Sequence, residues 1–137
     1  MKYDDASWHY GGTFPSDLPP EAGATHIGMF FAWMAAHRMA GELHTHEWPD
    51  ELACLVAREI APGQYVREWI DEKLTDEDFT AEGNAFAADY YGETGYFGDL
   101  ARVSEDLPTI YHLPDTWATY DSLEPIISAR FVAWRRT

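Results

Sequence analysis

The chain has 137 residues, 15% of them aromatic, and sets 24 Asp and Glu against 9 Lys and Arg for a formal charge of −15. That length fits one domain with its own core, expected here as 1–137 with an irregular arm over 1–20 and a helical body over 21–137. The acid excess repels phosphates and anionic lipid, which argues against nucleic-acid and membrane-surface partners and for a basic protein whose association weakens with salt.

High charge usually accompanies disorder, but six Trp, eight Tyr and seven Phe supply the apolar surface that folding needs. From Met1 to Pro20 the aromatics alternate with Gly11-Gly12, Pro15 and Pro19-Pro20. This punctuation predicts an irregular arm whose rings dock on the body. A helix is predicted over about 21–40, with Pro19-Pro20 ahead of it and Gly41 behind it. Ile27, Phe30, Phe31, Met34 and Arg38 follow helical spacing, and Met29 and Trp33 widen the stripe, so this is the expected central helix.

A second helix is predicted from Pro49, with Leu52, Leu55, Val56 and Ile60 inward. It carries Cys54, the only cysteine, which can form no internal disulfide and is expected as a small buried side chain. Pro62-Gly63 ends that helix, and another is predicted over 64–73 with Tyr65, Val66, Trp69 and Ile70 inward. Thr75 with Asp78 three residues on forms a capping box. A further helix is predicted over 81–91, with Phe86 and Tyr90 paired and Gly92 as its stop.

The stretch 94–103 offers a short helical turn, weakened by Gly95 and Gly98. Thr109–Leu113, between Pro108 and Pro114, is the best strand. The last helix is predicted over 121–136, with Pro125 in its first turn and Leu123, Ile126, Ile127, Phe131 and Trp134 on one face. The fold class expected is mainly α, five or six helices with at most one small β-hairpin. The amino terminus carries acids where an export signal carries bases, and the apolar run Ile27–Ala36 is far short of the roughly 20 residues that cross a bilayer. A soluble cytoplasmic protein is expected.

Imidazole beside carboxylate suits a transition metal, and His44 and His46, flanked by Glu42 and Glu47, are the metal candidates. Two histidines at i, i+2 do not face the same way on a helix, and no third ligand is fixed, so no cofactor is expected. His26 and His37 share a helix face but stand about three turns apart, roughly 16 Å, too far for one ion. They are expected as hydrogen-bonded core or interface histidines. Trp8-His9-Tyr10, with Asp4-Asp5 nearby, can line a small-molecule pocket or simply pack as an aromatic arm.

The acids from Glu68 to Glu93 do not make an EF-hand, because Ala81 stands where the sharp-turn Gly belongs and Ala87 where the bidentate Glu belongs. No Ser or Cys sits in a nucleophile motif, and no glycine loop fits a phosphate. Without a complete catalytic signature, the sequence leans away from an enzyme.

Lys2–Gly12, reading KYDDASWHYGG, the helix Thr25–Trp33, reading THIGMFFAW, and Glu82–Ala87 leading to Asp89-Tyr90-Tyr91 together resemble a family of small uncharacterised bacterial proteins. The resemblance extends to Asp115–Trp117 and Arg130-Phe131. It implies a bacterial, cytoplasmic, stand-alone domain and carries no catalytic residues.

The function expected is an acidic binding module, most concretely an immunity protein that occludes the site of a basic toxin. Asp71, Glu72, Asp76, Glu77 and Asp78 would speed encounter, with Trp69 and Phe79 as anchors. Two alternatives stand beside it: a small metal-binding protein or enzyme using His44 and His46, and a homo-oligomer, such as a homodimer, serving as regulator or scaffold.

Overall fold

The structure, a computed structural model, describes all 137 residues. In chain order it runs β1 (Lys2–Asp5), α1 (Ala6–Tyr10), a 3₁₀ turn (Pro20–Ala24), α2 (Thr25–Ala36), a π-type turn (Leu43–Glu47), α3 (Pro49–Val56) and α4 (Pro62–Trp69). There follow β2 (Lys73–Thr75), a 3₁₀ turn (Asp76–Asp78), α5 (Ala81–Tyr90), α6 (Tyr96–Val103), a 3₁₀ turn (Ile110–His112) and α7 (Trp117–Arg135). The fold is mainly α, with one two-stranded antiparallel sheet of β1 and β2.

α2 is the axis, as its sequence predicts. Ten of its residues from Ile27 to Ala36 are apolar or Gly, and Thr25 through Ala35 are all buried. A helix apolar all round must be surrounded, and α3, α4 and α7 supply the cover. α4 comes closest. A Cβ added to Gly28 would lie 2.4 Å from Pro62 O and Gly63 N, so the two backbones meet where glycine alone fits. The Gly63 amide at the start of α4 donates to Asp115 Oδ1 at 2.7 Å, which places a carboxylate on the positive end of that helix.

Several boundaries move, each for a local reason. The predicted strand Thr109–Leu113 is a 3₁₀ turn, because Thr109 Oγ1 accepts from the Tyr111 amide at 3.1 Å and no strand lies beside it. The helix expected over 64–73 ends at Trp69: Asp71 and Glu72 take positive φ, reverse the chain and feed β2, which pairs with part of the supposed irregular arm. α7 starts four residues early, at Trp117, since Thr116 caps it, and Pro125 therefore lies inside the helix.

On α3 the inward residue is Leu55; Val56 is half exposed and Cys54 exposed, contrary to the expected burial, because each lies about 100° around the helix from Leu55. The Thr75–Asp78 capping box forms as predicted.

α6 and α7 are clamped by one buried acid. Asp99 accepts from Arg130 Nε and Nη2 at 3.1 and 3.0 Å and from Tyr90 Oη at 2.7 Å. Burial raises the Asp99 pKa, but the hydrogen bonds from Arg130 and Tyr90 outweigh it and hold the carboxyl below its ordinary value. A depressed carboxyl stabilises the fold fully above its unfolded value of about 3.9, and that contribution drains as pH falls through the folded value. Acid unfolding of Asp99→Asn below pH 4, followed by circular dichroism, is expected to be shallower than that of the parent relative to each protein's stability at pH 7.

Candidate functional site

The sheet and the first turn of α1 bring the site together. Asp5 ends β1 and caps α1, its Oδ1 accepting from the Ser7 amide at 2.9 Å, so the chain bends sharply between Asp4 and His9. Gly23 lets the 3₁₀ turn approach α1, where an added Cβ would meet Ala6 O at 3.2 Å. The turn leads into α2, whose second residue is His26. Asp4, His9 and His26 thus come from three elements and meet.

His9 Nε2 lies 2.6 Å from Asp4 Oδ1, and His26 Nε2 lies 2.9 Å from Asp4 Oδ2. The two Nε2 atoms are 3.2 Å apart. The carboxylate also accepts from the Asp5 amide at 2.8 Å and from Tyr91 Oη at 2.5 Å. Burial pushes the Asp4 pKa up, yet the hydrogen bonds from His26, His9 and Tyr91 dominate and hold it well below the carboxylate range. Burial drives the His26 pKa down against the pull of Asp4, which keeps that imidazole neutral at pH 7. The site therefore presents one anionic oxygen donor and two imidazoles, at least one of them held neutral, the protonation that metal ligation needs.

With protons on both Nε2 atoms, each imidazole donates to Asp4. His9 Nδ1 then accepts from Tyr111 Oη at 2.7 Å, and His26 Nδ1 is left as a buried atom with no partner. The same three residues can instead surround a cation, because one ligand atom from each lies within 4.8 Å of the others. Nitrogens 3.2 Å apart match the roughly 3.0–3.4 Å between neighbouring ligands of a shell with bonds of about 2.0–2.1 Å. The carboxylate oxygens sit a few tenths of an ångström too close and would retreat on loading. Tyr111 serves either state, since its hydroxyl can donate to a bare Nδ1 or accept from a protonated one.

Above Asp4 opens a cleft of about 350 Å³, lined by Tyr3, Trp8, His9, Tyr91, Phe97 and Tyr111 among others. His9 is half-buried at its floor and stacks on Phe97 at 6.1 Å. Two fastenings hold the segment beside the cleft: Phe14 packs on Tyr111 at 4.9 Å, and Asp17 takes a hydrogen bond with His112 at 3.0 Å.

The metal candidates read from the sequence part company. His44 is fully buried, with Nδ1 on Tyr65 Oη at 2.7 Å and Nε2 on Asp78 Oδ1 at 2.8 Å, so both its nitrogens are spent on packing. His46 is exposed and opens on a separate groove of about 580 Å³ with Glu42 and Thr45. No triad of ligands forms there.

The docking residues divide too. Asp71, Asp76 and Glu77 are exposed, Glu72 and Trp69 are half-buried, and Asp78 and Phe79 are buried. Asp78 is committed to His44 and to the Thr75 amide, and Phe79 packs in the core, so neither can meet a partner. Trp69 lies against Trp48 at 5.8 Å. His37, paired with His26 in the sequence reading, is exposed and stacks on Trp33.

Asp4 and His9 stand in the segment read as a pocket wall, but their union with His26 carries no local spacing: the two histidines stand 17 positions apart, across the end of α1, a loop and a 3₁₀ turn. The one available signal was a histidine in the first turn of a helix apolar on every side.

A family model described as a domain of unknown function (DUF7832) matches residues 2–113, a stretch that contains Asp4, His9, His26, Tyr91 and Tyr111 and ends ahead of α7. No curated protein and no solved structure matches the chain.

Proposed function

We propose, for a chain that belongs to this family of unknown function and so takes no activity from kinship, that Asp4, His9 and His26 hold one divalent transition-metal ion at the floor of the aromatic cleft. The observation that carries the reading is the convergence of two imidazole Nε2 atoms, 3.2 Å apart, on one buried carboxylate beneath an open cavity. A purely structural network explains Asp4, His26 and Tyr91, which are buried or nearly so. His9 has both nitrogens hydrogen-bonded as His44 does, and differs from it in lining the cleft and in the approach of its Nε2 to that of His26.

Three protein ligands that leave open positions toward a cavity are the donor set of catalytic rather than structural metal sites, and two His with one carboxylate suit zinc or iron(II). Such an ion polarises an oxygen of a bound molecule or activates a water, so the activity proposed is metal-assisted chemistry on a small molecule. Titration of the metal-stripped protein with zinc(II), followed by calorimetry, tests it. One equivalent bound by the parent and none by His9→Ala supports the reading; equal uptake by both refutes it.

A second reading keeps the basic partner. Its support is the exposure of Asp71, Asp76 and Glu77 on either side of β2, with exposed Trp8 and Tyr10 on α1, which follows β1, in place of the expected anchors Trp69 and Phe79. An immunity role remains the most concrete form of it, and a salt-sensitive basic partner recovered from native lysate would favour it over the metal reading.

A further inference from the structure

We propose that the cleft over Asp4 and His9 receives an organic cation, a small ammonium group seated against the faces of Trp8, Tyr3, Tyr91 and Phe97. The inference rests on this cleft being the working site and does not require the metal. In the metal-free chain the lining contains no Lys or Arg, and the ammonium over Trp8, Lys2 Nζ, is already paired with Asp5, so little there would neutralise a phosphate or carboxylate ligand. It does contain two acids, Asp4 at the floor and Glu93 at the rim, and Glu93 is exposed and free of any ion pair.

The rings lining that space also pack on one another: Tyr91 meets Phe97 edge to face at 85° with centroids 5.5 Å apart, and Tyr3 is tilted at 52° to Tyr91 at 6.4 Å. Aromatic faces arranged as walls attract a cation through their quadrupoles, and an adjacent carboxylate adds to the attraction. Trp8 is 56% exposed, unusual for the largest apolar side chain, and its ring already faces one ammonium: Lys2 Nζ lies 5.5 Å from the ring centroid while tethered to Asp5 at 2.8 Å. A volume of about 350 Å³ is ample for a small amine.

Three probes of one shape and different charge test this: choline, its neutral carbon isostere 3,3-dimethylbutan-1-ol, and the anion 3,3-dimethylbutanoate. Each is titrated calorimetrically into the full metal-stripped chain, since an ion with open positions would itself bind the carboxylate. Choline is expected to bind at least tenfold more tightly than the alcohol, and the carboxylate not at all. Trp8→Ala and Glu93→Gln, both at exposed positions that leave the core intact, are each expected to weaken choline at least threefold without moving the thermal midpoint.

Equal affinity for choline and the alcohol, no binding of choline at millimolar concentration, or unchanged affinity in both variants would overturn the proposal. Failure of choline with normal zinc uptake removes this inference alone, and failure of zinc uptake with choline still bound removes the metal reading alone.

Discussion

Gly28→Ala is expected to leave no cooperatively folding protein, or at best one weakened by more than about 3 kcal/mol. The added methyl would stand 2.4 Å from the carbonyl and amide of Pro62 and Gly63, which are backbone atoms that no rotamer change can move aside. α2 and α4 would have to separate. Their separation would unstack Phe31 from Tyr65, now 5.2 Å apart and within 9° of parallel, and loosen the Tyr65 hydroxyl from His44. Against a total stability of about 5–15 kcal/mol, losing that seam is severe. Gly92→Ala is the control, since a Cβ there meets nothing within 4 Å. Urea unfolding of both variants decides the matter: similar midpoints would show that the helices have room to spare.

Tyr111→Phe is expected to lower metal affinity by about 10- to 100-fold while the fold stays intact. Tyr111 is half-buried, so losing its hydroxyl creates no core cavity. What it does lose is the hydrogen-bond partner of His9 Nδ1, at 2.7 Å, which orients the ring. His26 has no equivalent partner, its Nδ1 being buried and unbonded, so His9 is the imidazole whose second nitrogen the protein controls. Zinc calorimetry on the variant reads the effect directly. Parent-like affinity would mean that Tyr111 only packs against Phe14 and His9.

The central helix was legible because its signal is local: the unbroken apolar run Ile27–Ala36, set between Pro19-Pro20 and Gly41, can only be buried. The Thr75–Asp78 box was legible for the same reason, being contained in four residues. β2 was hidden, since three residues pairing with the amino terminus leave no alternation to read, and the positive φ of Asp71 and Glu72 that permits the pairing has no Gly to announce it.

The site was only half visible. His44 and His46 drew attention through adjacency, yet adjacent residues on a turn point apart, and His44 went to the core. Asp4, His9 and His26 lie on three elements, and what unites them is the bend capped by Asp5 and the close approach at Gly23. The acids misled in a similar way. Asp78 belongs to the same run as Asp76 and Glu77 but points inward, because one of its oxygens completes the cap while the other binds His44.

The most direct test is the metal content of the untagged 137-residue chain, purified without chelator and measured by elemental mass spectrometry beside His9→Ala. The parent is expected to carry close to one transition-metal ion per chain and the variant almost none, with both giving the same circular dichroism spectrum. A parent that stays metal-free even after dialysis against zinc, or a variant that keeps its full share, would contradict the assignment of Asp4, His9 and His26 as a metal site.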